Sequence, residues 1–117
     1  MIDYSKTLVE ALQTILPTHY ELVLSSGTET PCISYQERNN AAQETGETMG
    51  YSRITYTIKV WGYDLEQLNK YAQMIDNKLR PIGWKRTSAQ ELYSYQSALI
   101  QKILTYEALV VENYNME

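Results

Sequence analysis

Few residues in this sequence could carry out chemistry on a substrate. The 117 residues include one histidine, His19, and one cysteine, Cys32. His19 follows Pro17 with no serine or cysteine motif around it, so we interpret it as a surface residue and not as a general base or ligand. A single cysteine excludes an intramolecular disulfide and a cysteine-rich zinc site, and we interpret Cys32 as a buried thiol.

The carboxylate pairs have a structural explanation. Asp64 and Glu66 stand at the start of a predicted helix, where the helix dipole favours negative charge. Glu44 and Glu47 lie in a polar segment without any other catalytic residue type. The phosphate-binding glycine motifs and the HExxH zinc motif do not occur. We therefore expect no catalytic residue, no metal site and no cofactor, and we do not expect an enzyme.

Composition restricts the class of partner. Lys and Arg total 10 and Asp and Glu total 14, a net charge of -4, which argues against a surface that holds nucleic-acid phosphates. The first ten residues, MIDYSKTLVE, have no signal-peptide pattern, and no apolar run approaches the ~20 residues that span a bilayer, so we expect a soluble cytoplasmic chain. Eleven Tyr, two Trp and no Phe favour wet protein interfaces, as in an assembly protein.

The length and the hydrophobic periodicity predict one α+β domain. One helix is expected from Asp3 to Leu16, ended by Pro17, and a second begins at Asp64 and closes before Pro81. The predicted order is α-β-β-β-α-β-β, with two helices packed on a mainly antiparallel sheet of four to five strands. The strands are predicted over residues 20–24, 32–37, 51–61, 84–95 and 99–111.

The strand over residues 51–61 has the clearest alternation. One of its two faces should pack beneath the second helix, which carries Leu68, Ala72 and Ile75. The last strand is apolar on both faces, so we expect it to be central or to lie against a neighbouring subunit. The residues predicted to face the core from the 51–61 strand are Ile54, Tyr56, Ile58 and Val60.

The segment from Arg38 to Gly50, RNNAAQETGETMG, shows no period. We predict a loop of 13 residues there, mobile in the free subunit. A loop of this length in a small domain is either functional or a flexible hairpin connection. Lys85 and Arg86, which follow Trp84, form the one compact basic patch in the sequence. They could meet an acidic patch of another subunit or simply be a solvated hairpin.

Three segments follow one another in a recognisable arrangement. The first is PCISYQE, which precedes the polar segment. The second is YTIKVWGYDLEQLNKYAQMIDNKL, which reads as a strand that ends in tryptophan and is followed by a capped helix. The third is GWKRTSAQELYSYQ, which precedes the long last strand. Over nearly the whole chain this arrangement resembles the tail terminator, or tail completion, proteins of long-tailed bacteriophages. Its motifs are the strand that ends in Trp, the acidic helix start, and the hairpin with glycine, an aromatic and basic residues.

The resemblance implies a structural virion protein of the tail, assembled in the bacterial host cytoplasm. Such a subunit forms a homo-oligomeric ring, usually hexameric, which caps the tail tube protein and joins the tail to the head connector or neck protein. It has no catalytic residues and contacts no membrane, and DNA only passes through its lumen without sequence-specific contact. The candidate contacts with the tube or with a neighbouring subunit are Arg38, Asn39, Asn40, Glu44, Glu47, Trp61, Trp84, Lys85 and Arg86.

In such a ring, acidic side chains on the lumen would keep the duplex from sticking. Lys85 and Arg86 would then face a neighbouring subunit or the connector. Alternatively, the acids simply solubilise the outer surface. Some of four acidic residues are expected at the lumen: Glu44, Glu47, Glu107 and Glu112.

Other functions remain open from the sequence. A neck or head-completion protein of a phage can have a similarly small α+β subunit. A small dimeric binding module of the ferredoxin-like type would use its sheet face for a partner and stay a monomer or dimer. A compact enzyme would need a pocket with convergent polar groups, which the sequence does not display.

Overall fold

The computed structural model describes residues 4–20, 29–44, 49–94 and 96–113. These residues form an α+β domain, and the order of its elements is the predicted one. A short 3-10 turn, Arg80–Ile82, follows the second helix. The elements are α1 (Tyr4–Gln13), β1 (Thr18–Tyr20), β2 (Cys32–Glu44), β3 (Met49–Gly62), α2 (Leu65–Leu79), β4 (Lys85–Tyr93) and β5 (Ile100–Asn113).

The five strands form one sheet in the spatial order β1-β2-β3-β5-β4. β1 runs parallel to β2, and the other three neighbouring pairs are antiparallel. β5 lies between β3 and β4, so it is an interior strand of the sheet. Of the two alternatives predicted for this strand, the structure shows the position inside the sheet.

The start and end of α2 follow from local sequence. Asp64 is the N-cap of α2, and its carboxylate accepts hydrogen bonds from the backbone amides of Glu66 at 3.1 Å and Gln67 at 3.4 Å. Gly83, at φ 100°, reverses the chain after α2, a conformation that glycine adopts without strain. α1 ends earlier than predicted, at Gln13. Of the strand predicted over residues 20–24, residues 21–24 lie outside the described part of the chain.

The core lies between one face of the sheet and the two helices. Ile58 and Val60 are fully buried, and Ile54 and Tyr56 are each 4% exposed. These four side chains cluster with residues of both helices and of β5, so the predicted core face of β3 is confirmed. The helix residues in the same cluster are Leu8, Leu12, Leu68, Ala72, Ile75 and Leu79.

The prediction of a loop from Arg38 to Gly50 is wrong. β2 continues as a strand to Glu44, and β3 already begins at Met49, with Asn40 paired to Ile54 and Glu44 to Gly50. The sequence did not predict this strand because its residues are polar or small and show no alternation of apolar and polar side chains. Strand geometry is imposed there by pairing with β3, since β propensity depends strongly on such context. Residues 45–48 lie outside the described part.

The extra strand length makes the molecule elongated. Its principal extents are 53 × 24 × 22 Å, and its radius of gyration is 16.1 Å. A compact domain of this length has a radius of gyration of about 13 Å. The helices therefore cover only one part of a sheet that extends beyond them.

Ile58→Ala tests the position of the core. Ile58 is fully buried at the centre of the cluster, so the truncation should lower the free energy of unfolding by about 2 to 5 kcal/mol through lost burial and a residual cavity. Urea denaturation measures this change. Ile82→Ala is the matched control, because Ile82 is 46% exposed. A loss below about 0.5 kcal/mol for Ile58→Ala would contradict the placement.

Candidate interaction surface

Beyond the helices, three strands continue as a protruding arm. We define the arm as residues 42–44 of β2, 49–52 of β3 and 110–113 of β5. At ~3.4 Å per residue, β3 runs about 17 Å past Ile54, which belongs to the buried core. β1 pairs with β2 only as far as Tyr35, and β4 pairs with β5 only as far as Glu107. The arm is therefore a three-stranded ribbon.

The outer strands of the arm are edge strands within the described residues. On each of them the backbone donors and acceptors that point away from β3 have no described strand as partner. Such edges are a template for pairing with another chain. The arm thus offers backbone hydrogen bonds to a partner, along β2 on one side and along β5 on the other.

Four candidate contact residues from the segment that was predicted as a loop lie along β2. Arg38 is exposed at a register shift between Glu37 and Asn39, a β-bulge at the base of the arm. Asn39 pairs with Thr55 and Asn40 with Ile54, while Glu44 stands opposite Gly50 in the arm. Glu47 lies outside the described residues.

Lys85 and Arg86 do not form the compact basic patch that the sequence suggested. Neighbouring strand residues point to opposite faces of a sheet. Arg86 pairs with Tyr106 on the face that the helices cover, whereas Lys85 pairs with Glu107 on the other face. A partner could therefore contact these two exposed cations only from different sides of the sheet.

The sheet face opposite the helices is called the open face below, because both helices of the described chain pack on the other side. Its paired strand residues include three basic side chains, Arg53, Lys59 and Lys85, and one acidic side chain, Glu107. Leu92 and Leu109 on the same face are 51% and 58% exposed. The open face is therefore accessible only in part. Its residues Cys32, Ser34, Thr57, Trp61 and Ile103 are all buried.

Trp61 lies on the open face but is only 8% exposed. Its indole Nε1 donates a hydrogen bond to Ser34 Oγ at 2.9 Å, which satisfies the polar end of the ring. The ammonium of Lys59 lies 5.7 Å from the ring centroid, within the range of a cation–π contact. The tryptophan thus fixes the direction of one of the basic side chains.

Trp84 belongs to the core on the helix side. It is 4% exposed, and its ring meets that of Tyr56 edge-on, with centroids 5.5 Å apart and an interplanar angle of 84°. Burial removes both Trp84 and Trp61 from the surface that a partner can touch in this conformation. The candidates with described side chains that stay exposed are Arg38, Lys85 and Arg86.

A buried polar cluster joins α2 to β5. Asp76, 7% exposed, accepts a hydrogen bond from the Tyr106 hydroxyl at 3.0 Å and pairs with Arg80, whose Nη2 lies 2.8 Å from its Oδ2. Sequence reasoning missed this cluster, although the i,i+4 spacing of Asp76 and Arg80 was a readable signal. The cluster holds α2 at a fixed position on the sheet.

The cluster changes the ionisation of its members. Burial by itself would raise the pKa of Asp76, but hydrogen bonds from Arg80 and Tyr106 and the charges of Arg80 and Arg86 outweigh it and lower that pKa. Burial and the neighbouring carboxylate raise the pKa of Tyr106. Asp76 is therefore a carboxylate at neutral pH, and the field of Arg86 contributes to keeping it so.

The residues first considered for chemistry are accounted for. Cys32 is fully buried, and burial raises the pKa of its thiol, so the prediction of a buried thiol is confirmed. His19 is exposed in β1, as predicted. Among the residues described, no group of three or more His, Cys, Asp or Glu side chains could hold a metal ion. No helix in the described ranges is long and apolar enough to cross a membrane.

One groove lies along α2. Its lining comes entirely from this helix and its cap, and it is shallow and open to solvent, unlike the enclosed pockets in which small ligands bind. The groove therefore gives no support to a ligand-binding module. Its lining residues are Asp64, Glu66, Gln67, Lys70, Tyr71 and Met74.

Comparison with known proteins does not assign a family. No protein-family model matches the chain, and no curated protein sequence matches it. Function therefore has to be argued from the surfaces described above.

The charge of Asp76 should make stability depend on pH. Its pKa in the folded chain lies below the value of about 3.9 in unfolded chains, so its contribution is complete above pH ~4 and is lost as the pH falls through the folded pKa. Asp76→Asn should cost about 1 to 3 kcal/mol at pH 7. Urea denaturation at pH 7 and pH 3 measures the effect. The difference in the free energy of unfolding between Asp76→Asn and the wild type should be smaller at pH 3.

Asp64→Asn is the matched control, because Asp64 is exposed and asparagine is also a good N-cap. Its stability should stay within about 0.5 kcal/mol of the wild type at both pH values. If Asp76→Asn lowered the free energy of unfolding equally at pH 7 and pH 3, a charged role for Asp76 would be contradicted.

Proposed function

We propose that this chain is a structural subunit of a bacteriophage tail, a ring-forming tail terminator that caps the tail tube and joins the tail to the head connector or neck protein. The resemblance of the sequence to that family gives the class. The observation that carries the proposal is the three-stranded arm, which extends about 17 Å past the core. Within the described residues both outer strands of this ribbon are edge strands, and such edges are a template for pairing with another chain.

The position of the helices over one part of the sheet supports an assembly role. The helices and the core occupy one part of the sheet, and the arm and the open face leave backbone edges, basic groups and exposed leucines accessible to partners. Proteins avoid long exposed edge strands unless a partner covers them. In the proposed virion these surfaces meet neighbouring subunits, the tube protein and the neck protein. The chain would work in the tail after assembly in the host cytoplasm.

The charge on the lumen of the proposed ring also needs to permit DNA passage. Of the four acids expected there, Glu107 has a described side chain, and it is half-buried opposite Lys85 on the open face. The acids at positions 44, 47 and 112 carry the proposed lumen role.

Tube capping is the direct test of this function. The protein is mixed with purified tail tubes and imaged by negative stain, and it is also added to tube protein during polymerisation. We expect a ring-shaped cap at one end of each tube and shorter tubes as the ratio of this protein to tube protein rises. A tail terminator acts by occupying the growing end, so tubes of unchanged length without caps would contradict the proposal.

The same images separate the alternatives. Attachment to purified DNA-filled heads without attachment to tubes would indicate a neck or head-completion protein. A dimer that binds neither particle would indicate a small α+β binding module. An unrelated acidic protein of similar size, added at the same concentration, controls for non-specific adhesion to the tube ends.

A further inference from the structure

The sheet has two long outer edges, β4 on one side and β2 on the other. No side chain of β4 is buried, and eight of its nine residues are exposed, so the strand is attached to the domain through β5. β1 covers the outer edge of β2 only as far as Tyr35, and beyond it no described strand lies beside β2. An edge of this kind pairs along its length with an extended chain.

Both edges contain a stretch without the features that block edge pairing. Natural edge strands are protected by lysine, proline or β-bulges. In β4 the basic residues Lys85 and Arg86 and a register shift lie at the start of the strand, and in β2 the register shift lies at Arg38. The stretches that follow, Ser88–Tyr93 and Asn39–Glu44, contain no lysine, arginine, proline or register shift. Each edge thus offers six residues for pairing.

The direction of the backbone groups in β4 follows from its last hydrogen bond. The amide of Ser94 donates to the carbonyl of Leu99 at 2.8 Å, so these residues form a hydrogen-bonded pair at the end of the β4–β5 ladder. Neighbouring pairs of an antiparallel ladder alternate between bonded pairs and pairs whose backbone groups point to the outer sides. The amides of Ala89, Glu91 and Tyr93 therefore point away from β5, toward the free edge.

The same alternation gives the direction of the backbone groups in β2. The amide of Ile33 donates to the carbonyl of Pro17 at 2.8 Å, so it points away from β3. The β3 partner of Ile33 is Val60, and every second residue of β3 from there also points away from β2. The β2 residues opposite this series, whose amides point to the free edge, are Asn40, Ala42 and Glu44.

The two edges match in direction and in face. β2 and β4 run in opposite directions, because the three pairings that connect them across the sheet are antiparallel. Ala89 pairs with Leu104 and Asn40 pairs with Ile54, and both of these partners belong to the core beneath the helices. The outward amides of both edges therefore belong to register positions on the helix side. β4 of one copy can pair antiparallel with β2 of another while the helices of both copies stay on the same side of the joined sheet.

We propose that the stretch Ser88–Tyr93 of one copy pairs antiparallel with the stretch Asn39–Glu44 of the next copy. The inference rests on the proposed function for its ring, and it names the contact that builds the ring. Because two different edges meet, the contact is head-to-tail and generates a closed ring when the rotation between copies closes. The two stretches lie at different levels along the sheet, so the strands tilt against the ring axis, as in a closed β-barrel.

A second copy accounts for both edges at once. In the ring, the β4 edge of every copy covers the β2 edge of its neighbour, so both unblocked stretches are paired throughout the assembly. Pairing of β4 with β4 of a second copy would be isologous, would end at a dimer and would leave both β2 edges open. The head-to-tail contact therefore fits the two edges better.

Amide hydrogen exchange at single-residue resolution tests the contact in the wild-type protein. The amides of Ala89 and Glu91 should exchange at least about tenfold more slowly in the assembly than in the dilute monomer, because a partner strand accepts their hydrogen bonds only in the assembly. The amides of Gln90 and Leu92 bond to β5 in both states and serve as internal controls. On β2, the amide of Ala42 should show the same slowing as that of Ala89.

Proline substitutions at outward amides test the contact by mutation. Ala89→Pro and Ala42→Pro each remove one donor from the proposed ladder between copies, whereas the ladders inside the sheet keep theirs, and proline is tolerated where the amide faces away from the sheet. The self-association constant of either variant should fall at least about tenfold. Native mass spectrometry and sedimentation velocity measure the association, and thermal unfolding confirms that each variant is folded.

Ala89→Val and Ala42→Val are the matched controls, because valine changes the same side chains and keeps the amide donors. Both should associate like the wild type. A wild-type protein that stays monomeric at every concentration would overturn the inference, as would proline variants that associate normally. Slowed exchange at Ala89 without slowed exchange at Ala42 would also overturn it, in favour of pairing between two copies of β4.

The outcome is separable from that of the proposed function. Rings with slowed exchange at both edges that do not cap tail tubes would support the contact and reject the tail terminator. Capping of tubes by both proline variants at wild-type affinity would support the tail terminator and reject the contact. Slowed exchange at these edges that requires added tube protein would assign the edges to the tube, against the inference.

Discussion

β3 and β5 pair over their full lengths, from Met49 opposite Asn113 to Gly62 opposite Ile100. This ladder is the constraint on which the rest of the molecule depends. One part of it supplies the core residues Ile58 and Leu104 to the helices, and the other part continues past them as the arm. β2 and β4 are then attached along its two sides. The body and the arm therefore have one common scaffold.

The helices stabilise this scaffold on one side only. α2 is fixed by its apolar stripe and by the hydrogen bonds of Asp76 with Arg80 and with Tyr106 of β5. Loss of the Asp76 carboxylate would leave the buried Tyr106 hydroxyl without its acceptor, so this hydrogen bond helps to fix where α2 meets β5. The Arg80 side chain is 68% exposed, so its ion pair with Asp76 adds less. On the opposite face Arg53, Leu92 and Leu109 are exposed, whereas Cys32, Thr57 and Trp61 are buried.

The sequence predicted the parts of the fold that bury apolar surface. The alternation of Ile54, Ile58 and Val60 placed the core face of β3 correctly, and Asp64 marked the start of α2, because burial and capping each leave a local pattern. The arm was missed for the converse reason. Residues 39–44 are polar or small, so no alternation of apolar and polar residues marks them as a strand, and their pairing with β3 is not recorded in any local pattern.

The candidate surface was predictable only in part. Lys85 and Arg86 were recognised as charged neighbours, but strand alternation separates them, and this requires the pairing of β4 with β5 to be known. Trp61 and Trp84 looked like interface groups by residue type, whereas tertiary packing buries both. Both outcomes depend on strand pairing and packing between segments that are far apart in the sequence.

The central claim is that this chain is an assembly subunit that forms a ring on the end of the tail tube. Cryo-electron microscopy of the protein bound to the ends of tail tubes tests that claim most directly. The account predicts a closed ring of this protein in which each arm contacts a neighbouring subunit or the tube. Isolated subunits or dimers with the arms in solvent, or a ring whose copies meet through their helices, would contradict it.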